Sequence, residues 1–147
     1  MLDSYRDLID GLLETPTVVR SAFGDPVPSD IAPESASLLR ELSVREAVNL
    51  RRCQAVMRRE NVMLLAFEDE REMKALADAD GGSASPEENA ASFSHDRSEL
   101  ISLLVNLTLS DWDRPVNHDR SGDTTLAEEI EDHLTWDENI VATLTAA

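Results

Sequence analysis

Apolar residues return at helical spacing in four separate segments, and that regularity fixes most of what the chain can become. Leu2, Tyr5, Ile9, Leu12, Leu13, Val19 and Phe23 mark the first stripe, over Leu2–Phe23. Leu39, Leu42, Leu50, Cys53 and Met57 mark the second, in a helix expected over residues 35–62, with Arg40, Arg51, Arg52, Arg58 and Arg59 on the opposite arc. The third stripe is Ala90, Phe93, Leu100, Ile101, Leu104 and Leu107; the fourth is Leu126, Ile130, Leu134, Ile140, Val141 and Leu144.

The punctuation agrees with four helices. Ser85-Pro86-Glu87-Glu88 is a capping box with proline at the first helical position, and Thr125-Leu126-Ala127-Glu128 is a second capping box. Pro16 removes a backbone donor inside the first stripe, which predicts a kink or restart with Thr15 as its cap. GDPVPSDIAP, with three prolines and a glycine, is a connector. Residues 63–85 form the longest connection, acidic (EDERE) and then loose (ADADGGSAS). At about 3.3 Å per residue it can cross the whole length of a bundle, so helices 2 and 3 need not be antiparallel neighbours. No segment reads as a strand and no internal repeat is visible. The expected architecture is all-α: one domain over residues 1–147, a four-helix bundle with a long crossover between helices 2 and 3.

Composition narrows the function classes. The chain has 147 residues, 30 acidic against 13 basic, and a formal charge of −17, which repels phosphate and disfavours nucleic acid as a partner. No apolar run approaches the roughly 18–20 residues of a membrane span. The start, MLDSYRDLID, lacks the basic-then-apolar layout of a signal peptide, which points to the cytoplasm. The single cysteine, Cys53, rules out a disulfide framework. Twelve Arg against one Lys (Lys74), with acids spread along the whole chain, favours adaptation to concentrated salt over an acidic surface made for a basic partner.

Four ionisable residues fall on apolar stripes: Glu46, Arg97, His133 and Asp137, with Asn49 at the edge of the second stripe. A buried charge is costly unless paired. One reading is therefore a salt-bridge network in which Arg97 neutralises Glu46 or Asp137 and His133 donates to a carboxylate. The other is a site. His133 and Asp137, at i and i+4, project side by side, and with Glu46 from a facing helix they make a nitrogen-and-carboxylate metal set or an acid–base group. Elsewhere the readings are plainer. His95 belongs on the solvated side, His118 in a polar turn, and Cys53 in the core as a small hydrophobe. The Arg51, Arg52, Arg58 and Arg59 cluster either binds an anion or, as such faces more often are, is solvated and paired with nearby acids. Trp112 folds back on the bundle end, and Trp136 packs between helices or against a second subunit. There is no phosphate-cradling glycine loop, no G-x-S-x-G elbow and no H-E-x-x-H.

LIDGLLETPTVVRSAF, ENVMLLAFEDE and above all LTLSDWDRPVNHDRSGDTTLAEEIEDHLTWDENI resemble, in order and spacing, segments of the DinB/YfiT-like family. The resemblance implies a four-helix bundle with a crossing connection, often dimeric. It also implies a divalent metal held by one histidine of helix 2 and an H-x-x-x-H on helix 4, and in some relatives thiol-dependent transfer or metal-dependent hydrolysis. Aligned from Thr125, the two helix 4 positions fall on Trp136 and Ile140; a shifted register puts His133 and Asp137 there instead. The helix 2 position falls on Glu41 by local pattern or Leu42 by buried face. The three histidines lie on three different segments, so the family's site is not expected to assemble, and Trp136 and Ile140 are expected to fill it with apolar bulk. The expectation is a DinB-like homodimer without metal or other cofactor, working as a non-catalytic binding or assembly module. The alternative is a zinc- or nickel-dependent hydrolase or a thiol-dependent transferase on a rebuilt site of His133, Asp137 and Glu46.

Overall fold

A computed structural model of the chain describes residues 2–58, 62–64, 84–118 and 122–145. Among these residues the helices are α1 (Leu2–Phe23), α2 (Pro33–Arg58), α3 (Pro86–Val105), the short α4 (Leu109–Trp112) and α5 (Leu126–Thr145). Three short strands, β1 (Val62–Leu64), β2 (Pro115–His118) and β3 (Gly122–Thr125), form a sheet in that order. The chain is thus mostly helical. The fourth helix expected from periodicity is α5.

Local chemistry sets the helix ends. Gly24, at φ +95°, closes α1 and donates its N–H to the Arg20 carbonyl at 2.8 Å, a left-handed position that suits glycine. Ser85 caps α3 through the reciprocal box with Glu88, as the sequence predicts. Thr108 and Asp111 form the same box for α4, and the Thr125 hydroxyl accepts from the Glu128 N–H at 3.2 Å to start α5.

The four long helices pack α1 on α5, α5 on α2, α2 on α3 and α3 on α1, closing a ring. Gly11 lets α1 and α5 approach closely: a Cβ there would stand 2.8 Å from Leu134 Cδ2. The interior holds two apolar clusters. One contains Leu12, Leu50, Cys53, Val56, Leu100, Leu104, Trp112, Val116, Leu126 and Ile130. The other contains Val19, Val27, Leu39, Leu42, Phe93 and Leu144. Along α1 and α5 the chain passes from the first cluster to the second; along α2 and α3 it passes from the second to the first. The consecutive helices α2 and α3 therefore run the same way, opposite to α1 and α5.

Several expectations are corrected. The second helix ends at Arg58, and residues 62–64, read as its last turn and the start of the connection, are strand β1. That strand pairs parallel with β2, which pairs antiparallel with β3 across Pro115–Thr125, Val116–Thr124, Asn117–Asp123 and His118–Gly122. The strands escape periodicity analysis because they are three or four residues long and β2 offers one buried apolar side chain, Val116. Residues 65–83 of the expected crossover lie outside the described residues. Helix α1 continues through Pro16, so Thr15 caps nothing. Leu13 is half-exposed rather than part of the buried stripe.

Trp112 folds back on the end of the helices as expected, buried in the first cluster. Its ring stacks on Tyr5 at 4.7 Å between centroids with an interplanar angle of 6°. Trp112→Ala is expected to cost about 3–5 kcal/mol in urea unfolding, from lost area plus the cavity left behind. Tyr5→Phe, which removes only the exposed hydrogen bond to Asp113, should cost less than about 1 kcal/mol in the same measurement.

Candidate functional site

Between the two apolar clusters lies one polar layer, to which every long helix contributes. On α1 Thr15 separates Leu12 from Val19; on α2 Glu46 separates Leu42 from Leu50; on α3 Arg97 separates Phe93 from Leu100; on α5 His133 and Asp137 separate Ile130 from Leu144. Glu46 and Asp137 are 0 % exposed, Arg97 1 % and His133 2 %. The four ionisable residues read from the sequence as inward-facing are the ones the fold brings together.

Arg97 is the hub. Its Nε donates to Glu46 Oε2 at 2.7 Å and its Nη2 to Glu46 Oε1 at 2.7 Å, the two-pronged geometry that suits a guanidinium and a carboxylate. Nη2 also donates to Asp137 Oδ2 at 2.6 Å. Nη1 donates to the Leu12 main-chain carbonyl at 2.7 Å. The Phe93 ring lies 4.9 Å below the guanidinium carbon. The sequence left open which carboxylate Arg97 neutralises; it takes both, because its donors point along two edges.

The Leu12 contact has a backbone cause. In a regular helix the carbonyl of residue 12 would accept from the N–H of residue 16. Residue 16 is proline, which has no N–H, so Pro16 leaves that carbonyl without its helical partner. Arg97 supplies the missing donor. One residue earlier, the Thr15 hydroxyl turns inward and donates to Asp137 Oδ2 at 3.0 Å. Reading Thr15-Pro16 as a kink or restart with Thr15 as its cap missed both contacts. The signal that would have found them is a proline four residues after an inward-facing position.

His133 Nε2 lies 2.8 Å from Glu46 Oε1. A carboxylate accepts, so Nε2 carries the proton in this contact. Among the described residues, His133 Nδ1 and Asp137 Oδ1 have no hydrogen-bond partner. Beside the layer, the Trp136 ring runs parallel to the imidazole at 6.5 Å, and the Arg45 guanidinium sits 4.3 Å over that indole. Trp136 and Ile140 border the second cluster and are only partly buried. They do not fill the centre, as the alignment from Thr125 implied; His133 and Asp137 occupy it. On α2, Leu42 is buried in the second cluster, and Glu46 is the residue that reaches the layer.

Electrostatics follow from this geometry. Burial by itself would raise the Glu46 carboxyl, but the hydrogen bonds from Arg97 and the neighbouring His133 hold it down at about 2. Burial disfavours the Arg97 charge, yet its bonds to Glu46 and Asp137 hold the guanidinium above its usual range. Cys53, fully enclosed, is pushed up to about 12, which suits a packed hydrophobe and not a thiolate nucleophile.

The ligand-type atoms of Glu46, His133 and Asp137 all lie within 4.8 Å of one another. In composition they resemble a metal set. As arranged they do not fit one, because Arg97 Nη2 already lies 2.6–2.7 Å from an oxygen of each carboxylate and the His133 Nε2 proton faces Glu46. Cavities of about 330 Å3 (beside Arg20, Pro26, Glu87 and Ser94) and about 260 Å3 (beside Gly11, Thr15 and Glu138) lie elsewhere, and Glu46, Arg97, His133 and Asp137 line neither.

The remaining candidates fall outside the layer. His95 is exposed, as expected. The His118 backbone belongs to β2, not to a turn. Asn49 is buried, with its amide 3.9 Å from Cys53 Sγ. On the arginine-rich face, Arg52 pairs with Glu129 at 3.6 Å and Arg51 bonds the Ala47 carbonyl.

Glu46→Gln removes one charge from a buried pair and is expected to cost about 3–5 kcal/mol at pH 7. The Glu46 carboxyl titrates below its ordinary 4.5 in the folded state, so its contribution is complete above pH of about 4.5 and fades as pH falls towards about 2. Urea midpoints of wild type and Glu46→Gln should therefore converge across that range; a gap of constant size would contradict the pairing. Comparison with protein-family models, curated proteins and solved structures finds no match to this chain.

Proposed function

We propose that this protein is a DinB-like four-helix bundle without the family's metal chemistry, acting as a non-catalytic binding or assembly module. The observation that carries the reading is the position of Arg97. Its guanidinium engages both carboxylates of the only inward-facing Glu/His/Asp set among the described residues, so no ligand set is left open towards a substrate. The parallel run of α2 and α3 supports the long-crossover bundle that the resemblance implies. The thiol of Cys53 is enclosed and raised, which speaks against an internal nucleophile.

Homodimer formation, drawn from the resemblance, and a cytoplasmic location belong to the same proposal. No described helix is long and apolar enough to cross a membrane. A charge of −17 with twelve Arg and one Lys supports a surface adapted to concentrated salt.

A second reading draws on the convergence of Glu46, His133 and Asp137 within 4.8 Å: a zinc- or nickel-dependent hydrolase or thiol-dependent transferase using those three residues. Metal analysis of protein purified without a histidine tag separates the two. The first reading expects well under one equivalent of zinc or nickel per chain and no thermal stabilisation on adding either. One equivalent that disappears in His133→Ala would overturn it in favour of the second.

A further inference from the structure

We infer that the Arg97 guanidinium is a built-in substitute for a divalent cation, and that removing it uncovers a cation site made of Glu46, His133 and Asp137. The inference rests on the preceding reading, in which Arg97 closes the centre.

Three observations carry it. Glu46, His133 and Asp137 come from two helices, and their ligand-type atoms lie within 4.8 Å of one another. Each of the three presents an atom to a shared centre: Glu46 Oε1 and Asp137 Oδ2 accept from Arg97 Nη2 at 2.7 and 2.6 Å, and His133 Nε2 lies 3.5 Å from the same nitrogen. Two polar atoms in the buried layer, His133 Nδ1 and Asp137 Oδ1, have no partner among the described residues, so the guanidinium leaves part of the set's bonding capacity unused.

Charge and size point the same way. The two carboxylates carry two negative charges, whereas the guanidinium supplies one positive charge and a divalent ion supplies two. Without Arg97, Glu46 and Asp137 lose their charge partner in a buried layer, a state that a cation would relieve. One nitrogen and two carboxylates suit zinc, cobalt or nickel. Ligands about 2.1 Å from a tetrahedral ion stand about 3.4 Å apart; the set now lies within 4.8 Å, and His133 Nε2 and Glu46 Oε1, at 2.8 Å, would move slightly apart to admit the ion. Ligation through His133 Nε2 moves the ring proton to Nδ1, the nitrogen that is now without a partner.

The test uses full-length wild type, Arg97→Ala, Arg97→Ser and the double variant Arg97→Ala/His133→Ala, with Co2+ and Zn2+ as probes. Arg97→Ala is expected to take up one equivalent of Co2+, seen as visible absorption and as retained metal after dialysis. Its Tm should rise by roughly 10 °C at a hundredfold excess over Kd. If the metal-free variant is unfolded, it should refold when either ion is added. Arg97→Ser, whose hydroxyl can bond a carboxylate without metal, should behave likewise. Wild type and the double variant should take up none at the same concentrations. The inference is overturned if neither Arg97→Ala nor Arg97→Ser takes up an equivalent, folded or refolded with metal present, or if uptake survives His133→Ala. An equivalent in wild type would instead sink the preceding reading and this one with it. Wild type and both single variants all without metal would sink this one alone.

Discussion

A guanidinium sealed inside a protein must find acceptors for its N–H groups, and here that requirement organises the whole interior. Four of the five Arg97 donors are used: two on Glu46, one on Asp137 and one on the Leu12 carbonyl. Those partners stand on α2, α5 and α1, and Arg97 itself on α3, so one side chain ties all four long helices. Sliding α2, α3 or α5 by a turn, about 5.4 Å, would part a pair of buried opposite charges, and sliding α1 would take the Leu12 carbonyl from Arg97. Aliphatic packing alone does not impose that penalty, since leucines accept many neighbours. The layer therefore acts as a register mark more than as a store of stability, because buried ion pairs replaced whole by apolar groups often cost nothing.

The two apolar clusters do the complementary work. They supply most of the burial that drives folding, and their order along each helix fixes direction. The sheet extends the first cluster: Val116 points inward from β2, and the Leu126 N–H bonds the Arg114 carbonyl where β3 gives way to α5. The entry to α5 is held at both its strand and its helix side, which sets the phase at which His133 and Asp137 face inward.

Much of this was legible in the sequence, for identifiable reasons. Period and caps placed the four long helices, because a helix repeats its inward face every 3.6 residues over many turns. The same repeat exposed Glu46, Arg97, His133 and Asp137 as polar residues on apolar stripes. What the sequence concealed were pairings that depend on the third dimension. Arg97 could be matched with either carboxylate, and only geometry shows that it bridges both. Trp136 and Ile140 looked central in an ungapped alignment, yet the phase of α5 turns His133 and Asp137 to the middle and leaves the tryptophan at its side. The strands were hidden by brevity and by polar residues suited to turns. Strand β1 is three residues long and begins four residues beyond Arg58, so it passed for the last turn of α2.

Pro16 puts an atom of the main chain at the heart of the molecule. The oxygen that Arg97 grips belongs to residue 12, but no exchange of the side chain at position 12 can take it away. Codon 12 is thus at liberty to drift among leucine-like residues, while codon 16, whose side chain adds no donor or acceptor to the network, decides whether that oxygen is spoken for by its own helix. Mutational sensitivity and physical contact are here assigned to different positions, one turn apart.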